Sequence, residues 1–228
     1  MLLDLALNLS AHTYDSAGNV LSESSWRQRT PPAATGSQAL SAVLVGAPQV
    51  KTYTYDFRGQ VLTVSGPRTD GADTLTYTYD ADANLASISN VLGHTTRLSQ
   101  YDANGRAGRI DAPNGLMTTL RYSTRGQLLE STLSDGVAAQ RTAYSYDGVG
   151  QLVAVTLPDN ATISYVYDGA HRLTGVADGL GNSIAYTLDA SGNRIGEKNL
   201  DAGGVLVRQI ARAYDTLNRL QSVTGSAQ

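Results

Sequence analysis

The sequence contains no cysteine and almost no lysine or glutamate. The absence of cysteine excludes a disulfide framework, a thiolate metal site and a cysteine nucleophile. The charges come from arginine and aspartate instead, since 15 of the 17 basic residues are arginine and 17 of the 20 acidic residues are aspartate. The formal net charge of −3 gives no broad field that would attract nucleic acid or an anionic membrane, so we expect neither as a partner.

Long apolar runs and known catalytic motifs are also absent from the sequence. No run of 18 apolar residues occurs, so we expect no membrane-spanning segment. A Gly-x-Ser-x-Gly elbow, a His-Glu-x-x-His zinc motif and a phosphate-binding loop are all missing, and the three histidines are isolated. We therefore expect no catalytic, cofactor-binding or metal-binding residues, no cofactor and no enzymatic activity.

One stretch imitates the start of a calcium loop, at Asp80-Ala-Asp82-Ala-Asn84. An EF-hand loop needs glycine at its sixth position and a bidentate acid at its twelfth. The sixth position here is Leu85 and the twelfth is Val91. The stretch also coincides with a turn of the repeat described below, so we reject calcium binding.

Tyrosine recurs at regular positions, and this recurrence defines a repeat. Eight of the 13 tyrosines, the turn tyrosines, begin a tyrosine-aspartate turn or a near copy of it: Tyr14, Tyr55, Tyr79, Tyr101, Tyr122, Tyr146, Tyr167 and Tyr214. The other five, the strand tyrosines, stand two residues earlier: Tyr53, Tyr77, Tyr144, Tyr165 and Tyr186. A ninth copy has Leu188 in the turn slot. From residue 55 onward the steps are 24, 22, 21, 24, 21, 21 and 26 residues, which indicates a repeat architecture.

Each repeat has the pattern of a β-hairpin. Before Tyr146, the stretch 141–146 alternates in the manner of a strand and places Tyr144 and Tyr146 on one face. After it, the stretch 151–157 is rich in β-branched and aliphatic residues, which favours a second strand. The Asp-x-x-Gly between them predicts a type I turn with a bulge, because aspartate accepts backbone hydrogen bonds locally and glycine adopts the left-handed conformation.

The nine copies agree on the chemistry of this turn. The aspartate slot holds Asp in eight copies and Ser123 in one. The glycine slot holds Gly18, Gly59, Ala83, Gly105, Gly126, Gly150, His171, Gly192 and Asn218. Asparagine and histidine tolerate positive φ better than most residues. Ala83 does not fit the slot, so we predict a strained or altered turn there, at a cost of about 1 kcal/mol.

A second turn follows each hairpin. Pro67, Pro113 and Pro158 each lie 12 residues after their tyrosine and open such a turn, while other copies use Asp178-Gly179 or Gly93-His94 at about the same place. No segment has helical periodicity. We therefore predict an all-β fold in which tandem hairpins pair into one continuous antiparallel ribbon of about 18 to 20 strands.

We expect a single repeat array over residues 1–228, with about nine or ten repeats. Its weakest part is 22–50, a degenerate repeat or an insertion. Within it, the stretch 24–36, which contains the only tryptophan (Trp26) and Pro31-Pro32, is predicted to be a loop. The stretch 40–45 is a candidate strand after that loop.

The pattern Tyr-Asp-x-x-Gly-x-Leu-x-x-Val, followed by Pro-Asn-Gly or Pro-Asp-x, resembles the YD-repeat or RHS-repeat family. The resemblance extends from about Tyr14 to Val223 and is weakest at 22–50 and at the Leu188 copy. The family includes bacterial Rhs polymorphic toxins, the shell components of insecticidal Tc toxin complexes and animal teneurins. The resemblance implies a β-sheet that spirals into a hollow shell, which in bacterial members encloses a toxic C-terminal domain and in teneurins belongs to an adhesion receptor.

The chain is similar to a slice of such a shell. About 18 to 20 strands at ~4.8 Å each give a ribbon ~90 Å long, and a ring of that circumference is too narrow to enclose a folded domain. Met1 is not followed by the basic start of a signal peptide. We therefore expect a piece of a larger secreted or surface bacterial protein, with neighbouring shell repeats and an enclosed toxin domain as partners.

Two alternative functions follow from the surface residues. The tyrosines are candidates for binding sugar rings. The simpler explanation is that they pack against side chains of neighbouring strands. The arginines that follow the turns are candidates for binding acidic glycans: Arg106, Arg172, Arg194 and Arg219. The simpler explanation is that they form weak, solvated pairs with aspartate. The second hypothesis is therefore a carbohydrate- or protein-binding adhesion module. Open sheet edges also predict self-association of an isolated fragment.

Overall fold

The structure is a computed structural model, and it describes residues 8–28, 44–68, 70–71 and 73–227. Every regular element in this part of the chain is a β-strand. No helix of the described residues is long and apolar enough to cross a membrane. Contacts divide the chain into two compact units, residues 1–115 and 116–228.

The first unit contains eight described strands: β1 (Asn8–Tyr14), β2 (Val20–Gln28), β3 (Leu44–Tyr55), β4 (Val61–Ser65), β5 (Leu75–Tyr79), β6 (Leu85–Asn90), β7 (Thr95–Ser99) and β8 (Arg109–Asp111). Each strand pairs antiparallel with the next one along the chain.

The second unit contains ten described strands: β9 (Met117–Tyr122), β10 (Leu128–Ser134), β11 (Ala139–Tyr146), β12 (Leu152–Thr156), β13 (Thr162–Tyr167), β14 (Leu173–Asp178), β15 (Ser183–Leu188), β16 (Arg194–Leu200), β17 (Leu206–Tyr214) and β18 (Leu220–Ala227). These strands also pair antiparallel in chain order. The predicted all-β fold of tandem hairpins is thus confirmed, and the 18 described strands agree with the predicted number.

The predicted turn chemistry is confirmed as well. At the Tyr146 copy, the amide of Gly150 donates to the carbonyl of Asp147 at 3.2 Å, Gly150 has φ +99°, and the register shifts at Tyr146. Ala83 has φ +69° and keeps its turn hydrogen bond to the carbonyl of Asp80, so this turn is strained but not altered. His171 and Asn218 also have positive φ, as their slot requires.

The loop predicted for 24–36 is wrong in its first part. Strand β2 continues to Gln28, and its residues pair with β3. The register shifts between Ser25 and Arg27, which places Trp26 at a bulge. Small polar residues and one aromatic do not alternate clearly along this stretch, so the pattern does not predict a strand that carries a bulge. Residues 29–43 lie outside the described residues, so of the candidate strand 40–45 only Leu44 and Val45 are seen, at the start of β3.

One irregularity was not predicted, in the copy at Tyr101. Leu98 pairs with Ile110 there, a separation of 12, whereas the matching pair of the Tyr146 copy, Tyr144 and Val155, is separated by 11. Gln100 is the extra residue and has φ +57°. The step of 22 residues is therefore a 21-residue repeat plus one bulged residue, which keeps the apolar side chains on their face.

The two faces of the sheet differ in side-chain size. In the second unit, the tyrosine face carries the cross-strand row Tyr144, Val155 and Ile163 and the row Tyr165, Val176 and Ile184. The opposite, small-residue face carries Ser145, Ala154 and Ser164 in one row, and Gly175 and Ala185 in another, where Gly175 leaves room for its partner Val166.

The first unit follows the same rule, with hydroxyl groups on its small-residue face. Tyr77 pairs with Ile88 on the tyrosine face. On the other face, hydroxyls hydrogen-bond across strands, for example Thr54 with Thr63 and Thr78 with Ser87, both at 2.7 Å.

Very little of either face is buried. Among the described residues only Val155 and Ile210 count as buried, with 9% and 8% of their surfaces exposed. Both lie on the tyrosine face, where Ile210 pairs with Glu197 and Val155 with Tyr144. The described strands therefore lack the enclosed core that a two-layer domain has, so contacts between adjacent strands hold each sheet together.

Candidate functional site: the contacts that join successive repeats

Each tyrosine-aspartate turn is closed by its aspartate. At the Tyr167 copy, the backbone amides of Ala170 and Arg172 donate to one carboxylate oxygen of Asp168, at 2.9 and 3.0 Å. The second oxygen accepts a hydrogen bond from the guanidinium of Arg172 at 2.8 Å. The carboxylate thus satisfies local backbone donors that would otherwise need water.

The fifth position of the turn, counted from the aspartate, determines what happens to the second oxygen. Asparagine or arginine closes back onto its own aspartate, as Asn193 does on Asp189 at 2.9 Å. Glutamine, which is one methylene longer than asparagine, reaches forward to the next turn in two copies, whereas Gln127 accepts a hydrogen bond from Ser123 of its own turn at 3.2 Å. Gln60 donates to the carbonyl of Ala83 at 2.8 Å, and Gln151 donates to the carbonyl of His171 at 3.0 Å.

The hydroxyl groups of the turn tyrosines connect each repeat to the one before it. Tyr167 donates to the carbonyl of Leu152 at 3.0 Å, and Tyr146 donates to the carbonyl of Leu128, also at 3.0 Å. The same bond recurs at four further turn tyrosines: Tyr55 to Val20, Tyr79 to Val61, Tyr101 to Leu85 and Tyr214 to Arg194. Phenylalanine would pack equally well but could not donate, which explains why the slot holds tyrosine.

The Leu188 copy lacks this hydroxyl, and arginine takes over its bridging role. Arg172 of the preceding turn donates to the carbonyl of Asp189 at 3.0 Å while it also pairs with Asp168. The guanidinium fork can serve both acceptors because its donors point in fixed, separate directions.

A charged cluster lies on the tyrosine face beside this copy. Arg194 covers the ring of Tyr186 at 3.7 Å from the ring centroid. Glu197 lies 3.7 Å from Arg194 and 3.3 Å from Arg212. Glu197 is the cross-strand partner of Tyr186, in a place where other repeats have valine or isoleucine.

The directions of the pKa shifts indicate which groups donate and which accept at these contacts. The hydrogen bond from Arg172 is the largest cause of the lowered pKa of Asp168, and the hydrogen bond from Asn193 lowers the pKa of Asp189 in the same way. Burial raises the pKa of Tyr79 and Tyr101. At neutral pH the carboxylates are therefore ionised acceptors and the phenols are protonated donors.

The residues singled out for binding from the sequence are largely engaged by the protein itself. Arg106, Arg172 and Arg219 each pair with the aspartate of their own turn at 2.7 Å, while Arg194 contacts Tyr186 and Glu197. The Asp80 carboxylate accepts hydrogen bonds from Asp82 and Asn84. The described residues contain no group of three or more side chains that could hold a metal ion.

Comparison with known proteins identifies the repeat. The family model described as Teneurin YD-shell matches residues 38–194. Two relatives from Dickeya dadantii (strain 3937), named probable deoxyribonuclease RhsA and probable deoxyribonuclease RhsB, are 30% and 31% identical over 164 residues. These matches cover 68% of this chain and 11% of each relative.

A solved structure shares the fold. The crystal structure of TcdB2-TccC3 without its hypervariable C-terminal region superimposes with a TM-score of 0.74 at 15% identity, over 96% of this chain and 12% of that one. The chain thus spans only about a tenth of the length of the relatives that it matches. On the family match, the repeated turns and the hairpin order, the chain belongs to the teneurin YD-shell family of RHS/YD-repeat proteins.

Proposed function

We propose that this chain is a non-catalytic segment of the wall of a hollow shell, and that the shell encloses a toxin or effector domain in a larger secreted or surface bacterial protein. The observation that carries the proposal is the arrangement of contacts. Six turn tyrosines, together with Gln60, Gln151 and Arg172, bond one repeat to the next. Among the described residues, almost no side chain is buried. Such a sheet suits a wall that is one layer thick.

The relatives support the interpretation that the chain is a wall segment. The family is one of shells, and the two Dickeya relatives, of which the chain spans 11%, carry a nuclease in their names. A chain that matches so small a share of those proteins, and whose turn tyrosines bond each repeat to the one before it, is better suited to a wall than to the nuclease reaction. The alternative of an adhesion module stays a prediction, and the turn tyrosines suit it less well because most of their hydroxyls are bound to carbonyls.

The first test is the mass of the native polypeptide in its producing cell, detected with an antibody to this segment. We expect a band several times larger than the 24.0 kDa of this chain, with a further domain whose protease resistance depends on an intact wall. A native band at 24.0 kDa would overturn the proposal, because a sheet of this size cannot enclose a folded domain.

A second test separates wall from cargo. Changing Tyr146 and Tyr167 to phenylalanine in the native polypeptide removes two bonds between repeats and leaves any distant active site intact. We expect faster proteolysis of the enclosed domain, with unchanged activity of that domain once it is released. Unchanged proteolysis would contradict the structural role.

A further inference from the structure

An open groove lies between two successive turns of the second unit. Its volume is about 490 Å³, and its lining includes the strand tyrosine Tyr165 together with Val153, Asp147 and His171. The hydroxyl of Tyr167, which also lines the groove, is bound to the carbonyl of Leu152. An aromatic ring and a carboxylate thus share one concave surface.

The carboxylate in this groove retains an open oxygen. The amides of Val149, Gly150 and Gln151 all donate to the same oxygen, Oδ1 of Asp147, at 3.0, 2.8 and 2.9 Å. In closed turns the fifth residue occupies Oδ2, but Gln151 reaches forward to His171. Oδ2 of Asp147 therefore accepts no hydrogen bond from the described residues, in contrast to Oδ2 of Asp168 or Asp189.

The ring of His171 is oriented by the side chain of Gln151. The amide nitrogen of Gln151 donates to the carbonyl of His171, so its oxygen must face Nδ1 of the same histidine, at 3.0 Å. An amide oxygen only accepts, and Nδ1 is thereby assigned the proton.

The neighbouring repeat shows that a strand tyrosine can hold a guanidinium, although its carboxylate there comes from the following strand and not from the preceding turn. There the guanidinium of Arg194 lies 3.7 Å from the centre of the Tyr186 ring and beside the carboxylate of Glu197. Tyr165 and Tyr186 are both strand tyrosines, and the residue that corresponds to Arg194 in the Tyr167 copy is Leu173. The Tyr165 ring therefore lacks the cation that its neighbour has, although the groove beside it holds an open carboxylate oxygen.

We propose that this groove binds a guanidinium group, the head of an arginine side chain carried by a partner polypeptide. The cation would lie over the Tyr165 ring and donate to Oδ2 of Asp147, a combination of cation–π contact and charge-assisted hydrogen bond that arginine makes better than lysine. The site does not depend on what the shell encloses.

The test uses the intact chain, with N-acetyl-arginine amide as the ligand and backbone amide NMR signals as the readout. We expect saturable shifts at Gly148, Val149 and Tyr165, with a dissociation constant on the order of 1–10 mM, as a single exposed contact of this kind allows. N-acetyl-citrulline amide has the same shape without the charge, and we expect it to bind about tenfold more weakly or not at all. Equal binding of the two ligands would overturn the proposal.

Two substitutions test the residues individually. Asp147→Asn preserves an oxygen for the three turn amides but removes the charge, so we expect about tenfold weaker binding and an otherwise unchanged spectrum. The matched control is Asp189→Asn in a closed turn, which should leave binding unaffected. Similar loss of binding in both variants, or in neither, would contradict the assignment.

The sharpest test follows from the rule for the fifth turn position. Asparagine in that position closes onto its own aspartate, as Asn19, Asn84 and Asn193 do. Gln151→Asn should therefore fill Oδ2 of Asp147 from within and abolish binding while the ring and the carboxylate both remain. Unchanged binding by this folded variant would show that Oδ2 is not the acceptor.

Discussion

The repeats that begin at Tyr167 and at Leu188 are each bonded to the preceding repeat, but by different side chains. In the first, a phenol hydroxyl donates to a carbonyl of the previous repeat. In the second, leucine cannot donate, and the arginine of the preceding turn bridges to the backbone of the new turn. The difference teaches that the array requires a donor between successive repeats more strictly than it requires tyrosine.

The largest expected effect comes from making the first repeat resemble the second. Tyr167→Phe leaves the carbonyl of Leu152 without its donor and keeps the ring, so we expect a loss of about 1–2 kcal/mol in the free energy of unfolding. Urea denaturation measures it. The matched control is Tyr165→Phe, because the hydroxyl of Tyr165 forms no hydrogen bond within the described part of the chain. Equal losses in both variants would show that the hydroxyl bond contributes nothing.

Removing a turn aspartate should have the next largest effect. Asp147→Ala takes away the acceptor of three backbone amides, and we expect a loss of about 1 kcal/mol, which water at this exposed turn partly offsets. The denaturation midpoint measures it. An unchanged midpoint would show that the three amide bonds to Asp147 contribute nothing to stability.

Adding the missing hydroxyl tests the comparison in the opposite direction. Leu188→Tyr places a phenol where eight other copies have one, within reach of the carbonyl of Leu173 if the register is that of the other copies. We expect a gain of about 0.5–1 kcal/mol, the net value of one hydrogen bond. Thermal denaturation is sufficient to detect this gain in stability. A loss of stability would mean that the bridge from Arg172 and the new ring exclude each other.

A smaller gain is expected where a turn slot holds the wrong residue. Ala83 has φ +69°, a conformation that costs alanine ~1 kcal/mol but costs glycine little. Ala83→Gly should therefore stabilise the chain by about 0.5 kcal/mol, after the greater flexibility of glycine in the unfolded chain is subtracted. Chemical denaturation measures it, and Ala86→Gly within β6 is the control that should destabilise.

The sequence predicts the repeated hairpins, but neither the contacts between residues far apart in the chain nor the single-residue departure at Gln100. Hairpins, turn types and strand number followed from the spacing of Tyr146, Asp147 and Gly150 and their copies, because turn chemistry is encoded in adjacent residues. The acceptor of the tyrosine hydroxyl lies 15 residues upstream of Tyr167, a distance that only the fold resolves. The bulge at Gln100 is one residue in a step of 22, too small a departure to separate from ordinary variation in turn length.

The sequence carries one further signal for the contacts that join repeats. The fifth turn position holds only asparagine, glutamine or arginine in all nine copies: Asn19, Gln60, Asn84, Arg106, Gln127, Gln151, Arg172, Asn193 and Arg219. A slot restricted to side chains that donate hydrogen bonds indicates an acceptor nearby. The choice between the aspartate of the same turn and the carbonyl of the next one depends on side-chain length and on the distance between turns, which the sequence does not contain.

The smallest expected effect is a pH dependence that distinguishes closed from open turns. The pKa of Asp168 is lowered, first by its hydrogen bond from Arg172, so its contribution to stability is fully present above the unfolded pKa of about 3.9 and is lost as pH falls through the lower, folded value. Asp168→Asn should therefore destabilise the chain at pH 7, and the difference should shrink in denaturation curves measured toward pH 3. The ion pair is partly exposed, so added salt should reduce the same difference at pH 7. A difference that is constant with pH would mean that the carboxylate acts only through its shape, as asparagine does, and that arginine and asparagine at the fifth turn position close the turn equally well.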